Sequence, residues 1–302
     1  MTTDPKSRLE HSPASTVGDV LARARAMGVG RLDAQLLLAH FTGWSRSQLL
    51  TRDTLPLEPM VSQSLAHALA KRADGVPLAY LTGWREFFGL RLEVGPTVLD
   101  PRADTEVLVE WALQALSRLH EARAPSGEPL AVVDLGTGSG AIGLALAAEV
   151  AGGRAPAAVI MATDRADDAL AVAAGNAERL GLPLRLCAGA WWSAVGEERF
   201  DLAVSNPPYI RADDPHLPEL RHEPRHALVS GDDGLDDLRA LVTGAPAHLR
   251  AGGWLLLEHG HDQGEAVARL LREQGFGQVQ HRHDLAGHCR CTGGQWMSSG
   301  PA

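Results

Sequence analysis

The sequence predicts an α/β fold, an open and mainly parallel sheet with helices on both faces, preceded by a small all-helical domain. Residues 16–84 carry apolar side chains at three- and four-residue spacing and show no β pattern. Residues 85–99 change to the alternation and glycine breaks of a short β-hairpin. From about residue 130 onward, apolar strands alternate with helical segments, which is the order that produces a parallel sheet.

The chain divides into two folding regions joined by a short linker. In the first region a helix pattern is present in three segments, at residues 18–29, 31–44 and 62–75. A chain of 302 residues is long enough to form two hydrophobic cores. We therefore expect a helical domain over residues 1–84, a β-hairpin linker over 85–100 and an α/β domain over 101–302.

The α/β region alternates its predicted elements in a regular way. Strands are predicted at residues 130–136, 157–164, 184–190, 200–205 and 253–260. Helices are predicted from residue 104 and at residues 138–151, 166–181, 235–250 and 265–276, and the tail can add a final strand or two. In sheets of this kind, ligands bind at the carboxyl ends of the strands.

Composition limits the classes of function. The net charge is -9 and no dense block of lysine and arginine is present, which disfavours an enzyme that binds duplex nucleic acid. No apolar run is long enough to span a bilayer, and the polar first 15 residues lack the core of a signal peptide. The three cysteines form no disulfide framework, so we expect a cytoplasmic protein.

A glycine-rich loop, in the segment VVDLGTGSGAIG, leaves the first predicted strand and enters a helix. Gly136, Gly138 and Gly140 allow the backbone to approach a ligand closely, and the helix N-terminus favours anionic groups. Gly138, Gly140 and Gly143 also satisfy the dinucleotide pattern G-x-G-x-x-G. The loop alone fits NAD, another nucleotide, the carboxylate of S-adenosylmethionine, or a tight turn without a ligand.

An acidic residue, Asp164, ends the second predicted strand of the sheet. A carboxylate at this place accepts hydrogen bonds from ribose hydroxyl groups, although an aspartate there can also cap the next helix. Together with the glycine loop, Asp164 indicates a ligand of the nucleoside type without deciding which one.

The segment VSNPPYI places an amide, two prolines and an aromatic ring at the end of another strand. Each proline restricts the residue before it, so the carbonyl groups of this segment are fixed in direction. The side-chain oxygen of Asn206 and the carbonyl of Pro207 are two acceptors that can grip the two N–H donors of a planar NH2 group. Tyr209 can lie against that plane, and a rigid turn with no chemical role is the alternative.

Such a grip suits methyl transfer to an amide or to the exocyclic amine of a base. Accepting hydrogen bonds from both N–H groups raises the electron density on nitrogen and spreads the charge that develops as the methyl group arrives. The remaining requirement is in-line positioning against the methyl donor, and no strong general base is needed.

The motifs DLGTGSG and NPPY, with Asp164 between them, resemble the S-adenosylmethionine-dependent amino-methyltransferases. Longer segments resemble one branch, the release-factor glutamine methyltransferases: PLAYLTGWREFFGLRLEVGPTVLDPRADTEVLVE, EPRHAL, GDDGLD, LLLEHGHDQG and DLAGHCRCTGG. The resemblance covers about residues 16–295 and includes the helical domain and the linker, which adenine methyltransferases lack. It implies a Rossmann-like class I methyltransferase sheet.

The resemblance also implies a substrate and a set of site residues. The enzyme would methylate the side-chain amide nitrogen of the glutamine in the Gly-Gly-Gln motif of class 1 peptide chain release factors, with S-adenosyl-L-methionine as cofactor. Its cofactor-binding residues would be Gly136, Thr137, Gly138, Ser139 and Gly140 for the methionine part, Asp164 for the ribose, Trp191 for the adenine, and Asn206. Its substrate-binding residues would be Asn206, Pro207, Pro208 and Tyr209, of which Asn206, Pro207 and Tyr209 are the catalytic ones. The helical domain would contact the release factor.

Two positions depart from the family pattern. Ala190 stands where the family usually has an aspartate that helps to recognise adenine, so a backbone group or another side chain takes that role, or the cofactor binds less tightly. Ala103 replaces the second proline of the family segment P-R-P-D-T-E, which should cost some stiffness and no chemistry.

Other functions are open at this stage. A nucleic-acid adenine N6-methyltransferase shares the grip on the amine but predicts basic flanks around a flipped base. A nicotinamide oxidoreductase would explain the glycines and not the NPPY segment, and a non-catalytic binding module would need no methyl acceptor. The histidines of the tail match no common zinc spacing, so no metal is expected. We expect a monomer with no stable nucleic-acid or membrane partner.

Overall fold

The computed structural model describes residues 15–123 and 127–297. They form two compact units, and the chain passes from the first to the second between Gly83 and Trp84. The first unit contains five helices among its described residues: α1 (Val17–Ala26), α2 (Arg31–Thr42), α3 (Arg46–Leu50), α4 (Pro59–Ala73) and α5 (Leu78–Thr82). Its core is aliphatic, with the buried side chains Val17, Val20, Leu37, Leu38, Leu65 and Leu69 at the centre.

Local capping explains where the helices of this unit begin and end. A capping box stabilises the N-terminus of α1, because the Thr16 hydroxyl accepts from the Asp19 amide and the Asp19 carboxylate accepts from the Thr16 amide. Ser45 and Gln48 form the same arrangement at α3, a helix too short for periodicity to predict. Gly43 ends α2 in the left-handed conformation (φ 72°) that glycine adopts without strain.

The second unit opens with an antiparallel hairpin and continues as a seven-stranded sheet. The hairpin is formed by β1 (Trp84–Phe87) and β2 (Leu90–Glu93). The sheet strands are β3 (Leu130–Leu135), β4 (Ala158–Asp164), β5 (Arg185–Ala188), β6 (Phe200–Ser205), β7 (Leu249–Glu258), β8 (Phe276–His283) and β9 (Cys289–Trp296). Their order is β5-β4-β3-β6-β7-β9-β8, with β3 to β7 parallel and β9 antiparallel to both of its neighbours.

Five helices connect or flank the strands of this sheet: α6 (Glu106–Ala122), α7 (Ala141–Ala151), α8 (Asp167–Leu180), α9 (Asp236–His248) and α10 (Gly264–Glu273). Buried residues of α6 and α7 belong to one apolar cluster, and those of α9 and α10 belong to another. The parallel strands contribute to both clusters, because strands covered on two faces are apolar throughout. The predicted α/β fold with helices on both faces is therefore confirmed. Across the described residues, no helix combines the length and apolarity needed to span a membrane.

Candidate functional site

A cleft opens at the carboxyl ends of β3, β4 and β6, where the sequence places its glycine loop, its acidic strand end and its NPPY segment. The cleft contains about 860 Å³ of space free of protein atoms, part of which is open to solvent. Of the residues expected to bind cofactor or substrate, it is lined by Gly136, Thr137, Gly138, Ser139, Asp164, Trp191, Asn206 and Pro208. Gly140, Pro207 and Tyr209 lie outside this lining.

The glycine loop between β3 and α7 has a backbone that requires glycine. Gly136, Gly138 and Gly140 have φ angles of 77°, 56° and 85°, in the left-handed region that side chains disfavour. Beneath the loop, buried Asp134 accepts a hydrogen bond from the Thr137 hydroxyl at 2.6 Å and one from the Gly143 amide at 3.0 Å. Burial raises the pKa of the Asp134 carboxyl to about 6, and the two hydrogen bonds oppose that shift.

Asp164 connects the loop to the neighbouring strand. Its Oδ2 accepts a hydrogen bond from the Gly138 amide at 2.9 Å, and its Oδ1 accepts one from the Ala166 amide, also at 2.9 Å. The second contact is an Asx turn just before α8, and it differs from the helix cap that the sequence leaves open, because the N-cap of α8 is Ala166 and no described side chain caps this helix. An ionised carboxylate has about four acceptor positions, so Asp164 can also accept from a hydroxyl group in the cleft.

The two adjacent tryptophans have separate places. Trp191 lines the cleft, lies over the loop at Gly136, and donates its indole N–H to Asp237 Oδ1 at 3.1 Å. Trp192 is buried against α9 and donates to the Leu241 carbonyl at 2.8 Å. They lie in a 3-10 turn, and Trp191 has a φ of 49°, so the separation does not come from an extended chain. Ala190 lines the cleft beside Trp191.

The Asn206 amide is held through its NH2 group. Its Nδ2 donates to the Thr105 hydroxyl at 3.2 Å, and the Glu258 carboxyl lies close enough for the Asn206 amide to lower the pKa of that carboxyl. Thr105 lowers the same pKa, and Glu258, which ends β7, is buried, with 1% of its surface exposed. Burial raises the pKa of Glu258 to about 7, against the lowering effect of its hydrogen bonds and of the Arg290 guanidinium.

The backbone that follows Asn206 is fixed by hydrogen bonds to two other segments. The amides of Tyr209 and Ile210 donate to the Leu228 carbonyl at 3.2 and 2.8 Å. The Tyr209 carbonyl accepts from Gln263 Nε2 at 3.0 Å. Pro207 is buried, and the Tyr209 ring packs against the apolar cluster that α9 and α10 share. Burial raises the pKa of the Tyr209 phenol, so this side chain stays neutral at ordinary pH.

Thr105 and Glu258 are site residues that the motifs did not single out. Thr105 lies in the 3-10 turn just before α6 and lines the cleft, which no local pattern indicates. Glu258 does carry a signal, because an acidic residue directly follows the three leucines that end an apolar strand. The same reasoning that selects Asp164 at the end of β4 would have selected Glu258.

Two family models and a set of known proteins match this chain. A family model described as the PrmC N-terminal domain matches residues 20–83, and one described as the methyltransferase small domain matches residues 116–231. A release factor glutamine methyltransferase of Xylella fastidiosa is 47% identical over 278 residues, covering 91% of this chain and 96% of that protein. One of Burkholderia pseudomallei is 46% identical over 293 residues, covering 94% and 97%. A solved methyltransferase from Pyrococcus furiosus shares the fold, with a TM-score of 0.50 and 20% identity over 78% of this chain and 96% of its own.

Proposed function

Because this chain belongs to the release factor glutamine methyltransferase family, we propose that it methylates the side-chain amide nitrogen of the Gly-Gly-Gln glutamine in class 1 peptide chain release factors. The chain has the class I methyltransferase fold, and the family's helical domain precedes that fold in the sequence. One observation carries the chemical part of the proposal. The NH2 group of Asn206 donates to Thr105, so the amide oxygen is the end that remains for a planar NH2 group in the cleft.

The cleft suits S-adenosyl-L-methionine, which when bound supplies a methyl group activated by a sulfonium. Its glycine loop presents backbone without side chains next to a helix N-terminus, a suitable place for the carboxylate of the methionine part. We assign that part to residues 136–140, the ribose to Asp164 and the adenine to the face of Trp191. Ala190 offers no side-chain acceptor to the adenine, so we assign that recognition to the surrounding backbone.

The methyl acceptor is the glutamine amide, which this chain has to orient and activate. Asn206 Oδ1 and the Pro207 carbonyl accept from the two N–H groups of the glutamine, which raises the electron density on its nitrogen. Pro208 lines the cleft beside them. The family resemblance assigns the Tyr209 ring to the amide plane, and in the structure that ring packs against the apolar cluster outside the cleft lining. The hydrogen bonds that fix the Tyr209 backbone keep these acceptors in place, so substrate binding costs little reorganisation.

The helical unit has a role in the same proposal, because a single side chain does not need a second domain to hold it. We propose that this unit recognises the body of the release factor while the cleft receives the glutamine. We also propose a cytoplasmic enzyme that acts as a monomer, without a stable nucleic-acid partner.

The experiment that tests the function combines the purified protein, methyl-labelled S-adenosylmethionine and a class 1 release factor. A parallel sample contains a release factor with alanine at the Gly-Gly-Gln glutamine. We expect label in the first sample alone, which would fix the substrate and the methylated residue together. Equal label in both samples would contradict the proposed site, and label in neither, with cofactor binding intact, would point to another acceptor.

A further inference from the structure

A buried carboxyl group lies directly behind the methyl-accepting site. Glu258 ends β7, the strand that pairs with β6, and the last pair in that ladder joins Ser205 to Leu257. Asn206 and Glu258 are therefore the next residues along two adjacent parallel strands. Glu258 Oε2 is buried and has no hydrogen-bond partner among the described residues. The carboxyl thus lies where it can act on Asn206. Burying a carboxylate at this position costs desolvation free energy, which an apolar side chain with a purely structural role would avoid.

The hydrogen bonds among Asn206, Thr105 and Glu258 set the direction of one amide. The Asn206 NH2 group has two N–H donors. One donates to the Thr105 hydroxyl at 3.2 Å, and the Glu258 carboxyl, whose buried Oε2 has no partner among the described residues, is the acceptor beside the other. The Thr105 hydroxyl, which accepts from Asn206, can give its own proton to Glu258. An ionised carboxylate only accepts, so a flipped amide would direct its oxygen at the Glu258 oxygen, and the Thr105 hydroxyl would have to leave Glu258 to donate to that amide oxygen.

We propose that Glu258 is a positioning residue, whose carboxylate holds the Asn206 amide with Oδ1 toward the methyl-accepting amine. The inference rests on the proposed function and adds to it an essential group outside the cleft lining. A protonated Glu258 is able to donate as well as accept, so it can hydrogen bond with either orientation of the amide. It then no longer selects the productive orientation. Methyl transfer therefore requires the ionised form.

The charged and titratable groups around Glu258 come from three directions. Arg290 and the Cys291 thiol lie on β9, where Cys291 is the register partner of Glu258. Asp104 approaches from the turn before α6, and Tyr209 approaches from the end of β6. Burial raises the pKa of Glu258 to about 7, Asp104 raises it further, and Arg290 lowers it. The productive orientation is thus expected to appear as pH rises through about 7.

The test is the pH profile of methyl transfer to the release factor for wild type and Glu258→Gln. We expect wild type to lose activity below about pH 7, with a slope of about one proton. Glutamine presents both a donor and an acceptor, so the variant should be about 10- to 100-fold slower at about pH 8. Its profile should be flat across the same range, and the two enzymes should converge near about pH 6 for a tenfold loss and near about pH 5 for a 100-fold loss.

Two sets of variants separate positioning from folding. Asp201→Asn removes a buried carboxylate from the opposite end of β6, where Asp201 binds Arg123 and Arg250, and it should keep both the activity and the acid limb. If Glu258→Gln does not fold, Thr105→Val removes the hydroxyl that shares the network. Thr105→Val should lose activity, and Thr105→Ser, which restores the hydroxyl, should recover most of that loss.

The outcomes distinguish this inference from the proposed function. If Glu258→Gln transfers methyl at the wild-type rate and with the wild-type pH dependence, the positioning role is overturned and the proposed function stands. A uniform loss that keeps the acid limb would overturn it too, because the titrating group would then lie elsewhere. If wild type binds S-adenosylmethionine and labels no release factor, the proposed function fails first, and with it the inference that rests on it.

Discussion

Asn206 shows how a single side chain obtains a direction from its surroundings. An amide in water accepts and donates equally well, and only fixed neighbours make one of its ends available to a substrate. Here Thr105 and Glu258 occupy the donor end, and the prolines that follow restrict the backbone. The acceptor that faces the cleft is thus prepared before the substrate arrives, which is the condition for efficient electrostatic stabilisation.

Replacing Asn206 with alanine should remove this acceptor while leaving the fold of the cleft in place. We expect kcat to fall by about 10²- to 10³-fold, the usual effect of deleting one preorganised polar group at a reacting centre. The affinity for S-adenosylmethionine should change far less, because the glycine loop and Asp164 remain. Single-turnover methyl transfer and calorimetric titration of the cofactor measure the two effects separately. Full transfer activity in Asn206→Ala would contradict the proposed mechanism.

Sequence predicts part of this site because strand ends are readable locally. Asp164 and Asn206 each follow a short apolar strand, and parallel strands bring their carboxyl ends together. Thr105 is not readable in this way, since its contact with Asn206 spans 101 positions and depends on where α6 packs. The different directions of Trp191 and Trp192 depend on a 3-10 turn with a positive φ, which no periodicity reveals.

At the scale of the elements, the loop from β3 to α7 and the turn that carries Trp191 form one surface. A methyl group on Gly136 would lie 2.8 Å from Cζ3 of Trp191, closer than carbon atoms pack. The loop is further connected to β4 through Asp164 and to its own strand through Asp134. The position of Trp191 therefore depends on the absence of a side chain in the neighbouring element.

We expect Gly136→Ala to displace Trp191 and to weaken the binding of S-adenosylmethionine by about tenfold or more, since the loop and the ring move together. The matched control is Gly181→Ala at the end of α8, where φ is 64° and a methyl group meets nothing within 4 Å. Both variants should lose about 1–2 kcal/mol of stability from the left-handed backbone. Calorimetry should show weaker binding for Gly136→Ala alone, and equal affinities would contradict the proposed role of this surface.

The number and type of the elements in the α/β region are easier to predict from the sequence than the order of the strands in the sheet. Predicted strands and helices of the α/β region appear in the structure with small shifts at their ends. The tail supplies β8 and β9, and β9 inserts between β7 and β8. Its Gly293 has no space for a side chain, because a Cβ atom would lie 2.5 Å from Leu256 Cδ2. Such a long-range packing requirement leaves no local pattern in the sequence.

For the molecule as a whole, the sheet edge that carries the proposed catalytic site also contains buried ionisable side chains, whose desolvation lowers the free energy of unfolding. Asp134, Glu258 and His259 lie at or next to the ends of β3 and β7, and all three are buried. Burial raises the pKa of Asp134 to about 6 and that of Glu258 to about 7, and it lowers the pKa of His259 to about 4. A core built only for stability would use apolar side chains at such positions. The position of Glu258 behind Asn206 gives a functional reason for this cost.

Glu258→Gln should therefore stabilise the protein in a pH-dependent way. The pKa of Glu258 is raised from 4.5 to about 7 in the folded state, so its stabilising contribution is complete below 4.5 and is lost as pH rises through about 7. Glutamine does not titrate, so the free energy of unfolding of the variant, relative to that of wild type, should rise by roughly 3 kcal/mol over that pH range. His259→Gln is a control of opposite sign, because the lowered pKa of His259, about 4, gives stability that is lost as pH falls below about 6.5. Urea unfolding at about pH 5 and pH 8 measures both differences, and parallel pH dependence of Glu258→Gln and wild type would show that Glu258 does not titrate as a buried acid.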